Sequence, residues 1–290
     1  MKFNPLYLLI IPVVFNLCIS ACSQMTNEIF NTENVMEYID HQLSFGPRIP
    51  NSSGSISAQN FIQREMENSN WLVERQVFEY NDIPLTNVIA KSSLNPPRLI
   101  IGTHYDTRAV SDNETYSEKQ LTPVPGANDG GSGTAVLLEL GNKIKKSDLD
   151  AWLVFFDAED QGRINNWEWS IGAQYFVDHL ETIPEAVLII DMIGDQNLEI
   201  YMEKNSDILL TKSVWEEAEK LGFSSFFIPK KKYSIIDDHL PFINKGIPAT
   251  LIIDIDYPYW HTTKDTSSNI SQDSLKIIGT VLLSWVKNQY

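Results

Sequence analysis

The sequence predicts a single α/β domain of three layers, α/β/α, around a mainly parallel sheet. Three observations predict it. The chain has 290 residues without an internal repeat or a long linker, enough for one sizeable core. Its hydrophobic content of 43% is ordinary for a globular protein. Short apolar runs then alternate with helical-period segments of about ten to fifteen residues, the pattern of parallel strands joined by crossover helices.

The elements follow in order. Ile29, Phe30, Val35, Met36, Ile39 and Leu43 fall near helical spacing, and Gly46-Pro47 ends that helix. Residues 53–69 read as a second helix. Strand-like segments cover 72–80, 87–93 and 98–104. Helices over 132–146 and 169–180 then alternate with strands over 151–157 and 186–191. A helix over 207–221, a short one over 238–245, a strand over 249–253 and a last helix over 273–288 complete the series.

The first residues read as a signal peptide, residues 1–21. Lys2 precedes an apolar stretch over 6–17, too short to span a bilayer, and small residues follow at the cut. Ile19-Ser20-Ala21-Cys22 resembles the lipobox of bacterial lipoproteins, which implies cleavage before Cys22 and lipidation of its thiol. The folded domain is then residues 22–290, exported to the periplasm or cell surface and held to a membrane only through Cys22. Cys18 and Cys22 are the only cysteines, so that domain has no internal disulfide. A net charge of −16 argues against a nucleic-acid partner, and Lys230-Lys231-Lys232 after Pro229 reads as a solvated loop.

In parallel α/β sheets, ligands bind beyond the carboxyl ends of the strands. There the chain places Thr103-His104-Tyr105-Asp106-Thr107, Asp157-Ala158-Glu159-Asp160, Asp191-Met192-Ile193-Gly194 and Trp260-His261. Asp129 stands in a glycine-rich turn that opens a helix. Singly, each has an ordinary reading: an N-cap for Asp129, a hydrogen-bonded edge histidine for His104, a solvated pair for Glu159-Asp160, a surface turn for "YPYWHTTKD". Together, imidazole and carboxylate groups on one rim suit zinc with an open fourth position. Of two adjacent acids, one can ligate while its neighbour serves as base.

"GTHYDT", "GANDGGSG", "FFDAEDQG", "IIDMIGD" and "WHTTKD", with "FGPR" ahead of them, come in the order of the zinc aminopeptidase superfamily. With "DDHLPF" at 237–242 and Trp260 directly before the last histidine, the chain most resembles the glutaminyl-peptide cyclotransferases (glutaminyl cyclases) within it. The resemblance implies a central mixed, mainly parallel sheet and one catalytic Zn2+ per chain. Carried over by position, it makes Asp129, Asp160 and His261 the zinc ligands and Glu159 the general acid/base. It makes Asp191 and Asp237 supporting acids in proton transfer, and Trp260 part of the substrate pocket. Where animal cyclases have two glutamates this chain has Glu159-Asp160, one methylene shorter at the ligand.

The function implied is conversion of the N-terminal glutamine of peptides or proteins to pyroglutamate with release of ammonia, by a monomer. The alternative is a zinc aminopeptidase, because His104, Asp129, Asp160, Asp191 and His261 could together hold two metals. A receptor-like relative ranks third, since no ligand or base is missing. Further expectations are Tyr259 beside Trp260 in the pocket wall and Trp167 and Trp169 at its edge. Asp237 has an N-cap reading beside its catalytic one. His239 reads as a satisfied helix-surface residue, and His41 and His179 as helical residues without function.

Overall fold

In the computed structural model, residues 30–144 and 149–290 are described. The expected signal segment and lipobox lie outside them. Asn31 opens helix α1 (Thr32–Ser44) by accepting from Glu33 N, and Ser52 caps α2 (Ser53–Asn68) through Ser55 N. Strands β1 (Leu72–Tyr80) and β2 (Ile83–Lys91) pair as an antiparallel hairpin. Asn81 and Asp82 both take positive φ in its two-residue turn, the conformation that matches strand twist. The second strand thus begins four residues before its expected start at Asn87. Pro84 interrupted that pattern, and it is tolerated because β2 meets its other neighbour only over Val88–Lys91.

Strand β3 (Leu99–His104), a short α3 (Ser117–Gln120), α4 (Gly131–Lys143), β4 (Ala151–Phe156), α5 (Ile171–Asp178) and β5 (Ala186–Asp191) follow. Two strands the sequence did not announce come next: β6 (Ile200–Met202) and, after α6 (Ile208–Lys220), β7 (Phe227–Lys231), so Lys230 and Lys231 are exposed in a strand and not in the expected loop. They form a small parallel sheet of their own. The chain closes with α7 (His239–Asn244), β8 (Ala249–Ile253) and α8 (Gln272–Gln289).

The main sheet has six strands in the order β1-β2-β4-β3-β5-β8. Its β4-β3-β5-β8 half is parallel, so the sheet is mixed as expected. Leu99, Ile101, Leu153, Phe155, Leu188 and Ile190 face a core shared with α1, α2, α4, α6 and α8. Ile100, Val154, Phe156, Val187 and Ile189 face a second core with α5 and α7. Burial on both faces explains why these strands read as continuous apolar runs. No helix among the described residues is long and apolar enough to cross a membrane.

Register places the site. His104 pairs with Phe156 and Asp191 with Ile253, so the parallel strands end level on one rim. The chain steps from β3 to β4 on one side and then to β5 on the other, and the rim lies at that reversal.

Candidate active site

Three of the rim segments carry a non-glycine residue in left-handed backbone at or beside a functional side chain. Ala158 (φ 56°) precedes Glu159, Met192 (φ 44°) follows Asp191, and His261 itself has φ 55°. Such backbone costs on the order of 1 kcal/mol or more per residue and persists only where the surroundings impose it. Gly130, next to Asp129, has φ 75°, and a Cβ there would meet Asp106 O at 2.6 Å and the His104 ring at 3.0 Å. Asp129 is therefore not the cap of α4; Gly130 holds that position.

Two buried triads result, and Asp129 belongs to both. Asp129, Asp160 and His261 offer ligand atoms all within 4.8 Å of one another, as do His104, Asp129 and Asp191. In the first, His261 Nε2 lies 3.0 Å from Asp160 Oδ1 and 3.7 Å from Asp129 Oδ2. In the second, His104 Nε2 lies 3.0 Å from Asp191 Oδ1 and 3.3 Å from Asp129 Oδ1. Asp129 Oδ2 and Asp160 Oδ2 are buried without a hydrogen-bond partner. Buried carboxylate oxygens are rarely left so unless a cation takes them. Burial and the Asp129 charge push the Asp160 carboxyl up to about 6, the mark of acids crowded in a dry place. One nitrogen and two oxygens converging in this way fit zinc and leave its fourth position open.

Residues away from the rim orient these groups. Asp112 lies 3.0 Å from His261 Nδ1, which turns Nε2 toward the triad, and Arg108 holds Asp112 at 2.9 Å through Nε. Asp106 accepts from Glu159 N (3.0 Å) and Asp160 N (3.3 Å), fixing the loop that carries both acids. Asp265 accepts from Asn128 N (2.8 Å), Asp129 N (3.1 Å) and Tyr257 OH (2.9 Å). The wholly buried Arg48 donates to Pro125 O (3.2 Å) and Gly126 O (2.6 Å), which steadies the same turn from below. Sequence reasoning quoted Arg48, Asp106 and Asp265 inside motifs without a task, and it missed Asp112.

A cavity of about 300 Å³ opens on the first triad. Asp129, Asp160 and His261 line it, and so do Glu159, Asp191, Asp237 and Trp260, so all seven predicted site residues share one space. His104 does not reach its wall. Ser170 Oγ donates to Glu159 Oε1 at 3.3 Å. Burial, reinforced by the nearby Asp237 and Asp238 carboxylates against the opposing pull of His104, holds Glu159 well above the usual carboxylate range. That shift suits a group that must both accept and return a proton.

Several aromatic expectations resolve differently. The Trp260 ring sits 4.1 Å from that of His261, and the Trp169 ring lies nearly parallel to it at 6.3 Å. Trp169 lines the cavity, whereas Trp167 packs on Tyr80 outside it. Tyr259 is not in the wall; it packs against Tyr257 in the second core. Asp237 does not cap α7, whose N-cap is Asp238. His239 is not on the helix surface: it is fully buried, with Nε2 at 3.2 Å from Glu203 Oε2. Glu203 also accepts from Ile235 N at 3.1 Å, which ties the Ile235–Asp237 wall of the cavity to strand β6.

The glutaminyl-peptide cyclotransferase of Dictyostelium discoideum is 24% identical over 319 residues, covering 88% of this chain and 84% of that one. The crystal structure of Tannerella forsythia glutaminyl cyclase superposes with a TM-score of 0.84 at 30% identity, over 90% of this chain and 100% of the other. That of a leucine aminopeptidase precursor from Bacteroides thetaiotaomicron gives the same TM-score at 29% identity, over 90% and 98%. The sequence model of Peptidase family M28 matches residues 87–286, the span that contains both triads, Glu159, Asp237 and Trp260. The chain belongs to Peptidase family M28.

Proposed function

We propose that the protein is a glutaminyl-peptide cyclotransferase that binds one zinc ion and closes the N-terminal glutamine of peptides into pyroglutamate. The observation that carries this reading is the single cavity in which one triad, Glu159 and Trp260 meet while His104 stays behind the wall. The similarity to cyclotransferases in sequence and structure supports it.

Asp129, Asp160 and His261 would hold the zinc, and when bound it polarises the side-chain carbonyl of the glutamine. The cavity orients that amide and the α-amine within one small space, so the attack is intramolecular. Glu159 takes a proton from the α-nitrogen as that nitrogen bonds to Cδ. The bond from Cδ to the amide nitrogen breaks, and Glu159 returns the proton to the departing ammonia. Asp191 and Asp237 line the same cavity as Glu159, and burial with the Asp237 charge holds its carboxyl in the high range that this exchange needs. Trp260 and Trp169 flank His261 and, with Ile253 and Ile255, keep bulk water from the reacting atoms.

The test is to offer the zinc-loaded protein a Gln-peptide and a Leu-peptide and identify the products by mass. Loss of ammonia from the Gln-peptide with the Leu-peptide intact is the expected result. Release of free glutamine would leave a hydrolase. The aminopeptidase reading has its own observation, the second triad of His104, Asp129 and Asp191.

The same proposal takes the catalytic domain as residues 22–290 of a monomer, anchored in the periplasm or at the cell surface through a lipidated Cys22. Ile19-Ser20-Ala21-Cys22 motivates the anchor. Cys22→Ser is expected to block processing and release the protein from membranes. Unchanged fractionation would remove the anchor.

A further inference from the structure

The cavity that takes the first residue of a substrate is not the only one at the rim. A cleft of about 430 Å³ lies on the other side of His261, and the two spaces share Arg163, Trp169, Trp260 and His261 as a common partition. The shared partition gives a peptide whose leading residue fills the first a path for its following residues into the second.

The two spaces differ in charge. The first is walled by Asp129, Glu159, Asp160, Asp191 and Asp237, with Arg163 alone opposing them at its edge. In the second, the charges besides His261 are Arg108, Asp112 and Arg163. Arg108 is already neutralised. It is buried, its Nη2 lies 2.5 Å from Asp112, Nη1 lies 3.5 Å from Asp160, and its face rests on Trp169 at 5.0 Å. Arg163 is exposed and makes no ion pair with any described residue, an uncompensated cation on a chain of net charge −16.

Its backbone is also unusual. Arg163 holds φ 67°, and its N–H donates to Trp167 O at 2.7 Å, closing a tight turn over Ile164–Asn166. Left-handed backbone favours glycine or asparagine, so an arginine there is not explained by the turn. The turn nonetheless fixes where the guanidinium starts, at the boundary between the two cavities.

We propose that the cleft beside His261 is a subsite for the second and third residues of the substrate, and that Arg163 makes it favour an acidic side chain there. The proposal rests on the reading of the protein as an enzyme acting on peptide N-termini. The guanidinium is exposed, so the effect is modest. One surface ion pair corresponds to about a two- to fivefold gain in kcat/KM for Glu over Ala, and more against Lys.

The experiment uses the zinc-loaded protein and two peptide series, one led by Gln and one by Leu. Each carries Glu, Ala or Lys at the second or third position, and consumption is followed by mass. Wild-type kcat/KM is expected to favour Glu over Lys by about three- to tenfold at low salt, fading toward unity near 1 M salt. Arg163→Ala should bring that ratio close to one, and Arg163→Glu should invert it. A ratio near one in the wild type, or one that both substitutions leave unchanged, overturns the subsite. If only the Leu series is consumed, the cyclase reading fails while the charge ratio still reads the cleft. If neither series is consumed, both proposals fall.

Discussion

The two triads share Asp129 and use the same residue types, yet they occupy different surroundings. Asp160 and His261 open on the cavity, and His261 is backed by Asp112 and neighboured by two indoles. His104 sits inside the end of β3, only 1% exposed, with Nδ1 facing Asp106 at 3.4 Å and Nε2 facing Asp191. On the reading proposed above, one triad presents ligands to a substrate, while the other joins the ends of β3 and β5 to the turn that opens α4. The lesson is that two sets of metal-ligating residue types at the same spacing can differ in how far they open on a cavity. Access and the partner on the second ring nitrogen separate the two.

The largest expected effect follows from that contrast. Asp129→Ala and His261→Ala each should take bound zinc from one per chain to none, as read by elemental analysis, and turnover should go with it. Retention of stoichiometric zinc in His261→Ala would place the metal in the other triad. Next comes Glu159→Gln, which keeps the shape of the side chain but not its proton. It should retain zinc and fold yet lose at least about a hundredfold in pyroglutamate formation. Near-normal turnover in that metal-replete variant would remove Glu159 from the mechanism. The smallest effect sharpens the comparison most. His104→Ala should leave zinc at one per chain, whereas a fall from two to one would establish a two-metal centre and favour the aminopeptidase reading.

Much of this was legible in the sequence, for a physical reason. Strands buried on both faces must be apolar throughout, so a carboxylate or histidine directly after such a run marks its end. His104, Asp157–Asp160, Asp191 and the last strand before His261 all announced themselves this way. What stayed hidden depends on contacts between distant segments. Asp112 reaches His261 across 149 residues, and nothing in the local composition around Ser111-Asp112-Asn113 shows it. His239 reads as a surface residue until Glu203, thirty-six positions earlier, is folded beneath it. Tyr259 reads as part of the wall beside Trp260, but it packs half-buried against the second core, in a turn that ends in left-handed backbone at His261. The β6–β7 sheet escaped notice because a three-residue strand has too few positions to show a period.

Asp265 carries one more consequence, for the order in which the molecule is made. The backbone N–H groups of Asn128 and Asp129 find their acceptor 137 and 136 residues later in the chain. Contacts of such separation are slow to form, because a long loop must close before they give any return. A chain emerging from its N-terminal end can therefore pack much of its sheet, but its glycine-rich turn has no acceptor for those two N–H groups until the segment from Tyr257 to Asp265 arrives. His261 travels in that same segment. The first triad and the brace that positions it are thus completed in one late step, and a partly synthesised chain presents Asp129 and Asp160 without the histidine that would complete a metal site with them.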